Sequence, residues 1–424
     1  MKQPRLRFKA NDGSDFPDWE SKSFSDVFAG LSNNTLSRDC LNSENGQAKN
    51  IHYGDVLIKY GSVVDIQNDR VPFVNSDIDC KRWDCLQDGD IVMADTAEDD
   101  TVGKVVEITN VGSDTLFSGL HTIACHPRDA FASKYLGYYM NSKAYHDQLR
   151  PYMQGIKVTS VSKSNISSTH IEIPSLPEQH KIADLLSTID DVIAVQQAEV
   201  DAWEQRKKGV MQKLFSQEVR FKADDGSNYP DWEEKTLGNE GTFYGGLSGK
   251  TKSDFQTGET CFITYMNIYR NPFARQDMMG RVDVGIGEKQ NKVQYGDLLF
   301  TQSSETVEEV GLSSVYLHDD KPYLNSFCMG YRFSDLKNVC PEFMGYCMRS
   351  DAIRKSIMLL GQGISRINLS AKRLGTVSYR IPSLSEQRKI ADCLSSLDDV
   401  IVKAKAELAK WRELKKGLLQ QMFI

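Results

Sequence analysis

Basic charge is scarce in this sequence. Its 51 Lys and Arg face 58 Asp and Glu, leaving a net charge of −7 and a pI of about 5.6. That balance counts against nucleic-acid binding, whose usual electrostatic footprint is basic, unless cations gather on one face. Long apolar runs are also missing: none approaches the roughly eighteen residues that suggest a membrane span. The opening MKQPRLRFKANDGSDFPDWE is charged and has no apolar stretch, so no secretory signal is expected. The nine cysteines include no CxxC pair. Neither a disulfide framework nor a zinc site is suggested, and reduced thiols in a cytoplasmic protein are the expectation.

Catalytic motifs fail one by one. A phosphate loop ending in Gly249-Lys250-Thr251 would need glycine where Tyr244 stands, and the similar run Ala29-Gly30-Leu31-Ser32-Asn33-Asn34-Thr35 contains no Gly-Lys. PDWEEK at 230–235 has the letters of a nuclease Pro-Asp…Glu-x-Lys motif. Its spacing is too short for carboxylates on adjacent strands to share a metal. Asn271-Pro272-Phe273 has one proline where an amino-methyltransferase motif has two, with no glycine-rich methyl-donor loop beside it. The seven histidines form no HExxH pattern. Catalysis and metal binding by this chain are not expected.

What is present is a repeat. Residues 7–20 and 220–233 agree at 11 of 14 positions, at an offset of 213. Residues 173–215 and 381–423 agree at 24 of 43 positions, at an offset of 208. Weaker echoes keep that second offset, including Gln154-Gly155-Ile156 against Gln362-Gly363-Ile364. The order is variable domain, similar segment, variable domain, similar segment, and drift after duplication is the plain alternative to two purposely different surfaces.

Within the similar segments, apolar residues recur every three or four positions. Ile182, Leu186, Ile189, Ile193 and Trp203 mark the first stripe; Ile390, Leu394, Leu397, Ile401 and Trp411 mark the second. The spacing predicts two long amphipathic helices, each roughly 55–60 Å at ~1.5 Å per residue. Their stripes suit one another as an antiparallel seam, with docking on each helix's own domain as the alternative. The variable segments mix short β-type runs (55–66, 90–96, 104–109, 297–304 and 313–318) with helical stretches at 130–148 and 341–359. The predicted class is α+β: two mixed α/β domains, 1–175 and 217–383, joined pseudo-symmetrically by coiled-coil-like antiparallel helices at 176–216 and 384–424.

These residues carry a resemblance. Two Ile-Pro-Ser-Leu-x-Glu-Gln-x-Lys-Ile-Ala-Asp segments, each running to Trp…Lys-Lys-Gly…Phe, and two PDWE blocks resemble type I restriction–modification specificity subunits over nearly the whole chain. The resemblance implies two target-recognition domains, each reading half of a bipartite, asymmetric double-stranded DNA site. It implies helices that fix the gap and dock two methyltransferase subunits, with restriction subunits joining them. It further implies that S-adenosylmethionine, ATP and Mg serve those partners, while this chain binds no cofactor. The candidate DNA contacts lie on loops before the long helices: Gln154, Lys157, Thr159, Ser160 and Lys163, then Gln362, Ser365, Arg366 and Lys372. Thr301, Gln302, Ser303 and Ser304 form a further candidate loop. A bilobed protein-binding adaptor is the rival reading, favoured by the acidic pI.

Overall fold

The computed structural model describes residues 4–80, 82–155, 158–255 and 258–423. Both long helices form where the apolar spacing places them, at Leu176–Phe215 and Leu384–Met422, 40 and 39 residues long. Proline occurs only in the first turn, at Pro177, where it costs no hydrogen bond. Glu178 and Glu386 lie at the positive ends of their helices. Among the described residues, no helix is long and apolar enough to cross a membrane.

The chain divides into two compact units, Met1–Ala198 with Ala406–Ile424, and Glu199–Lys405. Each unit therefore takes the start of one long helix and the end of the other. In the first unit, five strands lie in the order Phe28–Leu31, Thr122–Pro127, Ile91–Ala94, Val105–Thr109, Val63–Asp65. Only the last pair is parallel. The second unit repeats the first four of these as Gly241–Gly245, Cys328–Phe333, Leu298–Thr301 and Ser313–Val315, all antiparallel. A smaller sheet accompanies each, four-stranded in the first unit and three-stranded in the second. The PDWE blocks lead into strands Glu20–Ser23 and Glu233–Thr236, which pair with His170–Ile173 and Ser378–Ile381 just before the long helices.

Three local readings change. Residues 55–58, read as strand, belong to the helix Tyr53–Ile58, which His52 caps by accepting the Gly54 N–H; only Val63–Asp65 of that run is strand. The helix expected over 130–148 is two, Tyr135–Met140 and Lys143–Leu149, because Ser142 accepts the Tyr145 N–H and starts a new helix. Its counterpart at 341–359 also breaks in two, into Pro341–Cys347 and Asp351–Met358, with Ser350 at the start of the second helix but making no side-chain cap bond.

The repeated Glu-Gln pair anchors each domain to its helix. Arg7 donates to both Glu178 carboxylate oxygens, at 2.9 and 2.7 Å, and Arg220 does the same to Glu386 at 3.1 and 2.8 Å. Both glutamates are fully buried. Gln179 accepts the Ala132 N–H and donates to the Pro174 carbonyl; Gln387 treats Cys340 and Pro382 identically. Arg7→Ala removes the cation from a buried carboxylate, to which Trp19 Nε1 still donates at 3.3 Å, a change that costs about 3 kcal/mol. Chemical denaturation is expected to show that loss, and an unchanged midpoint would show the pair to be dispensable.

The helix stripe has a mixed destination. Ile182 and Leu186 lie in the first unit's core with Trp19, Tyr135 and Phe423, and Ile390 and Leu394 lie in the second's with Trp232 and Phe343. The first turns thus dock on their own domain as well as on the opposite helix's end, so the stripe serves both of the destinations its spacing allows. Ile189 and Ile401 are buried further along; Ile193, Trp203, Leu397 and Trp411 are half-buried. The helices meet antiparallel within each unit. Lys415 lies 2.6 Å from Asp190, which accepts the Tyr138 hydroxyl at 2.8 Å; Lys207, Asp398 and Tyr346 repeat this triad at 2.5 and 2.8 Å.

Candidate nucleic-acid interface

In both units an antiparallel bridge closes a small hairpin, between Gln154 and Ser160 in the first and between Gln362 and Asn368 in the second. Gln154 and Ser160 exchange backbone hydrogen bonds of 3.2 and 2.9 Å, and Gln362 and Asn368 exchange bonds of 3.0 and 2.7 Å. Gly155 and Gly363 turn the chain at φ of 134° and 135°. A Cβ would lie 1.8 Å from the Val158 oxygen at the first and 1.9 Å from the Arg366 oxygen at the second, so both turns require glycine. The returning strands Thr159–Ser160 and Ile367–Asn368 pair with Thr96–Ala97 and Ser303–Ser304. These edges continue the central-sheet strands Ile91–Ala94 and Leu298–Thr301, so a rigid scaffold carries each hairpin. Ser162 and Ser370 then cap the short helices Lys163–Ile166 and Ala371–Leu374.

Equivalent backbone thus carries different side chains. Gln154, Ser160 and Lys163 are exposed in the first unit; Gln362, Ser365, Arg366 and Lys372 are exposed in the second; Thr159 is half-buried. Exposed amide, hydroxyl and guanidinium groups on a rigid edge can meet base edges, while the lysines can neutralise phosphates.

The family described as "Type I restriction modification DNA specificity domain" matches residues 17–202 and again 229–410. The chain belongs to that family. As a specificity subunit it gives a type I restriction–modification complex its DNA sequence specificity and is not itself the catalyst. It binds DNA and assembles with other subunits of that system. A Methanocaldococcus jannaschii protein assigned as the MjaX type I restriction enzyme specificity subunit is 25% identical over 97% of this chain and 94% of its own. In fold, the chain is similar to the type I system S subunit from M. genitalium. That match has 16% identity and a TM-score of 0.53, and covers 100% of this chain and 99% of that one. It is similar as well to a chain solved in work on type I assembly and conformational transition, with 15% identity and a TM-score of 0.59 over 96% and 98%.

The structure sorts this specificity subunit's candidate contacts. Thr301 is fully buried and its hydroxyl donates to the Glu309 carbonyl at 3.1 Å; Ser304 is buried and donates to the Thr306 carbonyl at 2.6 Å. Both hydroxyls are committed to the main chain and cannot read a base. Gln302 and Ser303 are half-buried on the edge strand. Lys157 lies outside the described residues. Arg349 and Arg354 are also removed from any phosphate role. Their donors go to main-chain carbonyls, among them Ser313, Ile268 and Gly311, and burial pushes both guanidiniums down to about 10. Exposed acids follow each edge strand, Glu98, Asp99 and Asp100 in one unit and Glu305 and Glu308 in the other. Among the described residues no cluster of His, Cys, Asp or Glu could hold a metal ion.

Proposed function

We propose that each domain reads one half of a bipartite, asymmetric DNA site through its hairpin, closed by Gln154 and Ser160 in one and by Gln362 and Asn368 in the other. The observation that carries this reading is the pair of hairpins with superimposable hydrogen bonding and different exposed side chains. The long helices hold the two half-sites at a fixed separation, since a helix of this length is a stiff rod of roughly 60 Å. Two methyltransferase subunits dock on this scaffold and methylate adenine with S-adenosylmethionine. Restriction subunits using ATP and Mg complete the complex in the cytoplasm, where its DNA is.

A mobility-shift assay with the methyltransferase partner, at stated salt, tests the reading. Arg366→Ala removes one cation from the second hairpin, so binding is expected to weaken by about tenfold with assembly intact. If Arg366 contacts a phosphate, the salt slope also falls by about one. Wild-type complex that shows no preference for any DNA sequence would contradict the proposal and favour a protein-binding adaptor.

A further inference from the structure

A third segment borders each hairpin. The Asp95 N–H donates to the His121 carbonyl at 3.1 Å, and the Gln302 N–H donates to the Phe327 carbonyl at 2.9 Å. Asp95 and Gln302 each precede the edge strand that pairs with the hairpin, and their own carbonyls accept Val161 and Leu369 N–H at 2.9 Å. His121 and Phe327 therefore hold the same place in the two units. Tyr53 and Tyr265 also correspond, each opening the helix that follows the strands Lys49–Ile51 and Thr260–Ile263. The neighbourhood is shared; the residue at its edge is not.

Both side chains are largely open to solvent. Phe327 is 57% exposed, so burial contributes little to hold it there. The His121 side chain is 48% exposed. Its φ of 53° lies in the left-handed region that non-glycine residues avoid, a strain that concentrates at functional positions. The His121 ring stands edge-on to Tyr53 at 5.2 Å, with Nδ1 3.5 Å from the Asp95 carboxylate. A neutral imidazole offers one ring nitrogen as a donor and the other as an acceptor.

We propose that His121 and Phe327 are matched specificity-determining residues, reading the equivalent groove position of the two half-sites in opposite chemistries. His121 accepts from the exocyclic amino group of adenine or cytosine. Phe327 packs on the 5-methyl group of a thymine, the one apolar feature the major groove offers. This rests on the proposal that the two domains read DNA half-sites.

The test uses the full chain with its methyltransferase partner, by methylome and by binding to its own duplex. Phe327→His is expected to change or relax one thymine position in one half-site only, and His121→Phe one adenine or cytosine position in the other. His121→Asn, which tolerates the left-handed backbone, serves as a second variant at that position and is expected to alter the same one. Replacing thymine by uracil in the second half-site removes the methyl and is expected to weaken wild-type binding by roughly fourfold, the worth of one buried methyl group. The Phe327→His complex is expected to be indifferent to that replacement. Unchanged half-sites in all three variants, or wild-type binding indifferent to uracil, would overturn the inference while leaving half-site reading intact. A wild-type complex without any bipartite preference would instead overturn the functional reading beneath it.

Discussion

Residues 1–215 produced without the rest of the chain are expected to form a homodimer that directs methylation to a palindromic site. The first unit's core needs a helix end that this fragment cannot supply to itself: Met422 and Phe423 are buried there, Phe423 against Trp19, Tyr135 and Tyr139. A second copy offers Leu214 and Phe215, which fill the same role against Trp232 and Phe343 in the other unit. Its Lys207 can take the place of Lys415 beside Asp190, because the two lysines already occupy equivalent triads. The chain ends reinforce the exchange. Leu6 N–H donates to the Gln421 carbonyl at 3.0 Å, as Val219 N–H donates to Lys213 at 3.2 Å where the chain is continuous. An isologous dimer must present the same reading surface twice, so the two half-sites become inverted copies. Light scattering and a methylome check this; a monomeric fragment, or methylation at the original asymmetric site, would refute it.

The second large effect concerns stability. Leu186→Asp or Leu394→Asp places a carboxylate at a position with no solvent exposure, in the core where domain, helix start and opposite helix end meet. The lost leucine alone costs about 3–5 kcal/mol, and the unpaired charge adds to it. At roughly 2–4 °C per kcal/mol for a unit of this size, a fall in Tm of about 10 °C or more is expected, with loss of assembly. Arg366→Ala, at an exposed hairpin tip, is expected to leave Tm unchanged. A Leu394→Asp chain that melts like the wild type would show that the helix start does not belong to the core.

Much of this architecture was legible because it is periodic or repeated. The three-and-four spacing through Ile182, Leu186 and Ile189 sets helix length within a few residues, and Gly155 and Gly363 mark the hairpins by recurring at one offset. Partners distant in sequence were not legible. Glu178 reads as a first-turn acid, yet its ligand Arg7 lies 171 residues away. Lys207 and Lys415 open the Lys-Lys-Gly runs near the helix ends, and nothing in those runs points to Asp398 and Asp190, at the start of the other helix, as their partners. Thr301 and Ser304 have the composition of an exposed polar loop; only their main-chain acceptors reveal them as interior. Residues 55–58 read as strand because Val, Leu and Ile suit both states, and the His52 cap decides for helix.

The central claim is that domains choose bases while helices set distance. A methylome of the complex before and after inserting about one helical turn, four residues, within 194–198 tests it most directly. The account predicts the same two half-sites separated by a longer gap. Altered half-site bases at an unchanged gap would contradict it.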